Sequence, residues 1–193
     1  MTKKKEEIIL ALLSLGEQKG LANVSLADIA EARGIKKASI YSHFGSRDEI
    51  IDAMLEYCGE ILKTRSFVVN FKAKDANDLM TELVNGFLET FTEKPFSSCL
   101  SIVEQQKMVE ERFSKLSGSL KSMIEARLRV AFEYCVQRGW LDIKDTDIAA
   151  DILTSAVLDC LRDTVRAEKN RSPDTDIEWK IERLVSGLTT LFA

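Results

Sequence analysis

Apolar residues recur along this chain three and four positions apart, so nearly every segment has helical rather than alternating periodicity. Ile8, Ile9, Leu12, Leu13 and Leu15 line one side of a first helix that stops near Gly20, a residue suited to a left-handed C-terminal cap. Ser25 stands before Leu26-Ala27-Asp28-Ile29-Ala30 as an N-cap with an acidic residue three positions on. This is close to a capping box, with Asp in place of Glu or Gln. That helix lasts about two turns before Gly34. A second short helix runs from about Lys36 to Phe44 and is ended by Gly45. Ser46 then caps a long helix carrying Ile50, Ile51, Met54, Leu55, Cys58, Ile61 and Leu62. A further helix holds Leu79, Leu83, Val84, Phe87, Leu88 and Phe91, and Thr92 to Pro95 is a break. Ser97 or Ser98 starts the next helix, through Leu100 and Val103 toward Met108. Ser114–Arg138 is a long helix ended by Gly139, Asp145–Lys169 is another, and Ile177–Leu191 is the last. The expected fold is all-α with about nine helices: an N-terminal three-helix unit and a C-terminal helical bundle.

Composition agrees with this reading. The chain has 193 residues, 45% of them apolar, which suits one large domain or two small ones and a core that folds without metal or disulfide staples. Two prolines leave little room for a Pro-rich linker or for many short strands. The one histidine, His43, nearly excludes a His-rich zinc site, and any Ser-His-Asp triad would have to use it. The four cysteines (Cys58, Cys99, Cys135 and Cys160) form no CxxC pair and read as reduced cytosolic thiols. No cofactor and no metal are expected. Lys3-Lys4-Lys5 followed by Ile8 to Leu15 imitates a secretory signal, but Glu6 and Glu7 interrupt it and no small-x-small site follows. The apolar run is also too short to span a bilayer. A cytoplasmic, non-enzymatic protein with no membrane partner is the expectation.

The net charge of −4 taken alone argues against a nucleic-acid partner, but it conceals a gradient. Residues 1–48 carry eight basic groups (Lys3, Lys4, Lys5, Lys19, Arg33, Lys36, Lys37 and Arg47) against six acidic ones, a balance of +2 that leaves −6 for the rest. A local positive face, and not the total, is what phosphates feel.

Two short helices separated by a single glycine, Leu26–Arg33 and Lys36–Phe44, have the spacing of a helix-turn-helix. Ala30 is small where the second helix must approach, and Gly34 supplies the backbone freedom of a sharp turn. Ile29, Ile35 and Ile40 are expected to form the internal core of the unit. The second helix offers Lys36, Lys37, Ser39, Ser42 and His43 to base edges or phosphates, with Tyr41 beside them. The same spacing also suits an ordinary helical hairpin with a solvated Lys-Lys face, and Tyr41 suits a packed ring whose hydroxyl reaches out.

The run Ser25-Leu-Ala-Asp-Ile-Ala-Glu-Ala-Arg-Gly-Ile, with Ala38-Ser-Ile-Tyr-Ser-His-Phe-Gly-Ser-Arg-Asp-Glu-Ile after it, closely resembles the DNA-binding domain of the TetR (tetracycline repressor) family over roughly residues 5–55. The resemblance implies a homodimeric repressor of double-stranded operator DNA, with a ligand-binding helical domain after the reading head. It sets a DNA-binding domain at residues 1–48 and a ligand-binding and dimerisation domain at 49–193. By position it implies phosphate contacts for Ser25, Tyr41, His43 and Arg47, and base or backbone contacts for Lys37, Ser39 and Ser42. Lys36 stands where the family often has a capping Ser, so this helix start is less well capped or makes an extra phosphate contact. Arg47 replaces the usual Lys and keeps the charge. Lys37 is the expected guanine reader, while a phosphate at the start of the Ser25 or Ser46 helix would meet unsatisfied amides.

Past residue 50 the pattern is less diagnostic. In Asp145–Lys169 the residues Ile148, Ile152, Leu153, Ala156, Val157, Cys160 and Leu161 make an apolar stripe wide enough to need covering on two sides. By the resemblance, this helix and Ile177–Leu191 form the dimer interface; burial within one subunit is the alternative. Asp159, Arg162, Asp163 and Arg166 are spaced to pair along one helix. Phe67, Phe87, Phe91, Cys99, Val103, Phe132, Cys135 and Trp140 are the candidates for lining an inducer pocket, although each also suits plain core. Cys99 falls in the first turn of its helix, where the dipole lowers a thiol's pKa. Its surroundings resemble a subset of the family that senses electrophiles or oxidants, against an inert core cysteine. The competing function is a helical-bundle small-molecule-binding protein or enzyme without a DNA role. A DNA-binding protein with no inducer is the third.

Overall fold

The computed structural model describes residues 1–64, 69–170 and 176–192, with the side chains of all but 168–170 and 176–178. Among them are nine α-helices and no strand: α1 Lys3–Lys19, α2 Leu26–Ala32, α3 Lys37–Tyr41, α4 Arg47–Thr64, α5 Ala76–Thr92, α6 Phe96–Gln106, α7 Glu111–Gln137, α8 Thr146–Asn170 and α9 Asp176–Leu191. No helix among the described residues is long and apolar enough to cross a membrane.

The chain packs as two compact units. Residues 1–64 and 93–117 form one, residues 65–92 and 118–193 the other. This division by packing is a different cut from the functional one expected at residue 48, because α6 and the first turns of α7 join the N-terminal helices.

In the first unit, α1 packs on α2, α4 and α6. Its stripe Ile8, Ile9, Leu12 and Leu13 is buried together with Ile29, Ile40, Phe44, Ile50, Met54, Cys58, Cys99, Ile102 and Phe113. Gly16 lets α6 come close, since a methyl group added there would stand 2.8 Å from the Ile102 Cδ1. Ile35, expected in the core, is instead 38% exposed. The turn that fixes its backbone carries it past the packed face of α2. In the second unit, α5, α8 and α9 pack on one another. From α7, Leu120, Ile124, Leu128, Ala131, Phe132 and Cys135 are buried at helical spacing. Lys121–Asp151 (2.7 Å) and Arg129–Asp147 (3.2 Å) tie α7 to α8.

Several helix ends differ from the sequence expectation for local reasons. A 3-10 turn, Leu21–Asn23, follows Gly20, whose φ is 83°. The α3 helix ends at Tyr41, and residues 42–43 form a turn. The α6 helix starts at Phe96, ahead of both candidate serines. The Ser98 hydroxyl is used for a tertiary bond to Glu17 (2.7 Å), while the Ser97 hydroxyl is buried without a partner. The α7 helix starts at Glu111, three residues before Ser114.

Candidate nucleic-acid interface

The helix-turn-helix is built by short-range bonds that its sequence dictates. The Ser25 hydroxyl accepts from the Asp28 amide (3.2 Å), and the Asp28 carboxylate accepts from the Ser25 amide (2.7 Å), closing a capping box with Asp in the third position. Lys19 also meets Asp28 at 2.8 Å. The lysine, and then the Ser25 hydroxyl and amide, hold this carboxyl well below the usual carboxylate range. At the other end of α2 the Gly34 amide donates to Glu31 O and the Ile35 amide to Ala30 O, both at 3.0 Å. These are the two bonds of a Schellman motif, and Gly34 at φ 63° supplies its left-handed residue. The turn is thereby set without any contribution from α3.

The α3 helix is held by Ile40, fully buried, and by Phe44 just beyond it. No side chain caps its start: Lys36 occupies the cap position and makes no cap hydrogen bond. Lys36, Lys37, Ser39 and Ser42 are all exposed, and among the described residues no carboxylate pairs with either lysine. Ser42 donates its hydroxyl to Ser39 O (2.7 Å), which fixes its rotamer. Tyr41 is 52% exposed, so its ring is not a core residue. His43 is half-buried and lines an open cleft of about 170 Å³ with Lys4, Glu7, Ile8, Arg33, Ile35 and Ser39.

Arg33, Lys5 and Arg47 are engaged internally. Arg33 pairs with Glu7 at 2.8 Å, and Lys5 lies 4.8 Å from the centre of the Phe44 ring. Arg47 donates Nε to Val24 O (2.9 Å) and a terminal amine to Leu21 O. Its guanidinium thus clamps the start of α4 to the loop before α2. Ser46 behaves as expected of a cap, accepting from the Glu49 amide at 3.1 Å. Arg112, in the first turn of α7, meets Asp48 (3.2 Å), Asp52 (2.9 Å) and Glu110 (2.7 Å), which ties α7 to the next turns of α4. Lys4, Glu7 and Arg33 were absent from the sequence-derived site. No spacing rule brings α1 beside α3.

The residues proposed to line an inducer pocket divide between the two units. Cys99 and Val103 lie in the core of the first. Phe87, Phe91, Phe132, Cys135 and Trp140 lie in the second, where Phe87 and Phe91 stack with centroids 6.4 Å apart and Trp140 meets Tyr134 edge-on at 5.7 Å. Phe67 lies outside the described residues. Cys99 corrects the expectation of a lowered thiol pKa. It is 1% exposed, touches Cys58, and is pushed well up by that contact and by burial. Burial likewise pushes Cys135 up to about 11. All four cysteines are free and buried. In α8, Leu153, Val157 and Leu161 are buried, whereas Ile148 and Ile152 are 59% and 54% exposed. The expected pairs Arg162–Asp159 (3.1 Å) and Arg166–Asp163 (3.7 Å) are present, and Lys180 of α9 joins Asp163 at 3.0 Å.

Comparison with known proteins agrees with this geometry. Residues 5–54 match the profile described as bacterial regulatory proteins, tetR family. The nucleoid occlusion factor SlmA of Salmonella typhi is 27% identical over 188 residues, covering 92% of each chain. That of Marinobacter nauticus is 23% identical over 176 residues, covering 91% of this chain and 90% of the other. Among solved structures, a TetR transcriptional regulator from Agrobacterium tumefaciens superposes with a TM-score of 0.75 at 20% identity, over 99% of this chain and 94% of that one. A TetR transcription regulator from Haloarcula marismortui gives 0.70 at 17% identity, over 100% and 99%. Over residues 5–54 this chain is similar to the tetR-family bacterial regulatory proteins, and its fold is that of the solved regulators.

Proposed function

We propose that the chain is a homodimeric, ligand-responsive repressor that acts in the cytoplasm and leaves a palindromic operator when a small molecule occupies its helical body. Residues 1–48 would read DNA, and residues 49–193 would bind the inducer and the second subunit. One observation carries the DNA-binding half. On a helix whose neighbours Lys19, Arg33 and Arg47 are engaged internally, Lys36 and Lys37 face solvent with no carboxylate partner among the described residues. Unpaired cations beside exposed Ser39, Tyr41 and Ser42 are the donors a phosphate backbone and a major-groove edge require. The Ser25 and Arg47 side chains are occupied by the capping box and the loop clamp, so their contacts to phosphate would come from what those bonds leave over.

The dimer is supported by Ile148 and Ile152, one turn apart on α8 and over half exposed, with Trp179 and Leu191 of α9 exposed as well. An electrophilic inducer acting at Cys99 would first need α4 and α6 to part, because that sulfur is buried against Cys58. A second reading, a DNA-binding protein with a nucleoid occlusion role in place of gene repression, is favoured by the near full-length similarity to such factors. A mobility-shift assay on DNA flanking its own gene, with a salt series, tests the DNA-binding claim. Salt-independent or absent binding would reject it. Thermal-shift screening then separates the two readings: a stabilising small molecule that also releases DNA supports the repressor.

A further inference from the structure

We propose that the cleft between α1, the α2–α3 turn and α3 is an additional seat for a DNA backbone phosphate, with Lys4 as its cation and the Glu7–Arg33 pair setting its charge. The proposal rests on the DNA-binding reading above. Ser39 and His43 form one wall and belong to the segment that would face the groove. Lys4, from the first turn of α1, forms the other. Lys4 is exposed and, among the described residues, has no carboxylate partner. The Arg33 terminal amine reaches Glu7 Oε2 at 2.8 Å, so these two charges offset one another and leave the Lys4 ammonium as the net charge of the lining. Every other polar side chain there can donate a hydrogen bond: the Ser39 hydroxyl, an imidazole N–H and the Arg33 N–H groups not turned to Glu7. A phosphate diester accepts only and carries one negative charge, which matches this set. The cleft's volume of about 170 Å³ accommodates the group with some of its water. The position beside α3 favours a duplex backbone over a free anion, because Lys36 at the cap of that helix and Lys37 in its first turn stand next to the cleft's Ser39.

The contact predicts opposite effects from two neighbouring residues. The probe is a duplex selected by the wild-type protein from a random-sequence pool. Lys4→Met, which keeps the apolar stem, should weaken binding roughly tenfold for each half-site engaged. It should also lower the salt slope by about one per half-site. Glu7→Gln keeps an acceptor for Arg33 and removes the one negative charge of the cleft, so it should tighten binding. Lys3→Met, a control at an exposed lysine outside the lining, should cost clearly less than Lys4→Met. A scan of single methylphosphonate substitutions locates the partner: at one position per half-site, neutralising the phosphate should abolish the Lys4→Met penalty. Equal losses from the Lys3 and Lys4 variants, unchanged affinity in Glu7→Gln, or additive losses at every phosphate would each overturn the proposal while leaving DNA binding intact. Wild-type protein that selects no duplex would remove both.

Discussion

The two units of this molecule leave different things uncovered. In the first, polar groups are used closely: Ser25 and Asp28 cap each other, Arg47 serves two carbonyls, and Arg112 gathers three carboxylates. What is left over around α3 is positive charge, on Lys4, Lys36 and Lys37, although Met108 and Val109 of the same unit also leave apolar area exposed. In the second unit charged residues pair along the surface, as Arg162 does with Asp159 and Lys180 with Asp163. What is left over there is apolar area, at Ile148, Ile152, Trp179 and Leu191. Unpaired cations are cheap in water and gain from meeting an anion, so they mark a polyanion's side. Exposed branched and aromatic side chains gain only from being covered, which is what the proposed second subunit would do.

The largest test of this contrast is at Ile152. Ile152→Asp should leave the helical content unchanged, since the residue is exposed in the protomer. It should weaken self-association by about 3 kcal/mol, more than a hundredfold, in sedimentation velocity. A wild-type protein that sediments as a monomer at tens of micromolar would break the comparison on that side. Next comes Arg47. Arg47→Met should cost about 2 kcal/mol of stability through the lost bonds to Val24 and Leu21. Arg47→Lys keeps the charge and loses the fork, so it should lose most of that stability while retaining DNA affinity at temperatures where it remains folded. If Lys restores stability in a denaturant titration, the clamp is not what Arg47 contributes. Lys37→Ala should relax preference at one base pair per half-site by about 1–3 kcal/mol while other positions hold. A uniform loss across operator variants would turn Lys37 into a phosphate contact.

The smallest effect concerns pH. The Asp28 carboxyl is held low in the folded protein by Lys19 and Ser25, so the unfolded chain binds the proton more readily. Its stabilising contribution is therefore complete above the ordinary aspartate value of 3.8 and is lost as pH falls below it, toward the folded-state value. Asp28→Asn should lower stability at neutral pH and flatten the acid limb of the unfolding curve. An unchanged limb would show that the capping box adds nothing at its exposed position.

How far the sequence could be read depended on distance along the chain. The capping box at Ser25, the Ser46 cap, and the left-handed turns at Gly34 and Gly139 all involve residues within about five positions of one another, and periodicity exposed them. The pair of short helices around Gly34 was legible for the same reason. The end of α3 was not, because Phe44 is drawn into the core and the chain leaves the helix to follow it. Nor was the start of α6: its serines looked like caps, yet Ser98 bonds to Glu17, 81 residues earlier.

The helices, their caps, the turn that sets one short helix beside another, and the family resemblance those features carry all follow from the order of residues along the chain. These depend on bonds between near neighbours and on a 3.6-residue period. Which side chains remain available follows instead from how the helices pack. Arg47 is engaged because Leu21 and Val24 carbonyls lie within its reach, Cys99 is buried because Cys58 and the α4–α6 packing enclose it, and Ile35 is exposed because the turn carries it outward. Lys4 comes to stand across a cleft from His43 only once α1 and α3 have packed. Availability depends on what fills the space around a group, and that space is enclosed by residues from distant parts of the chain.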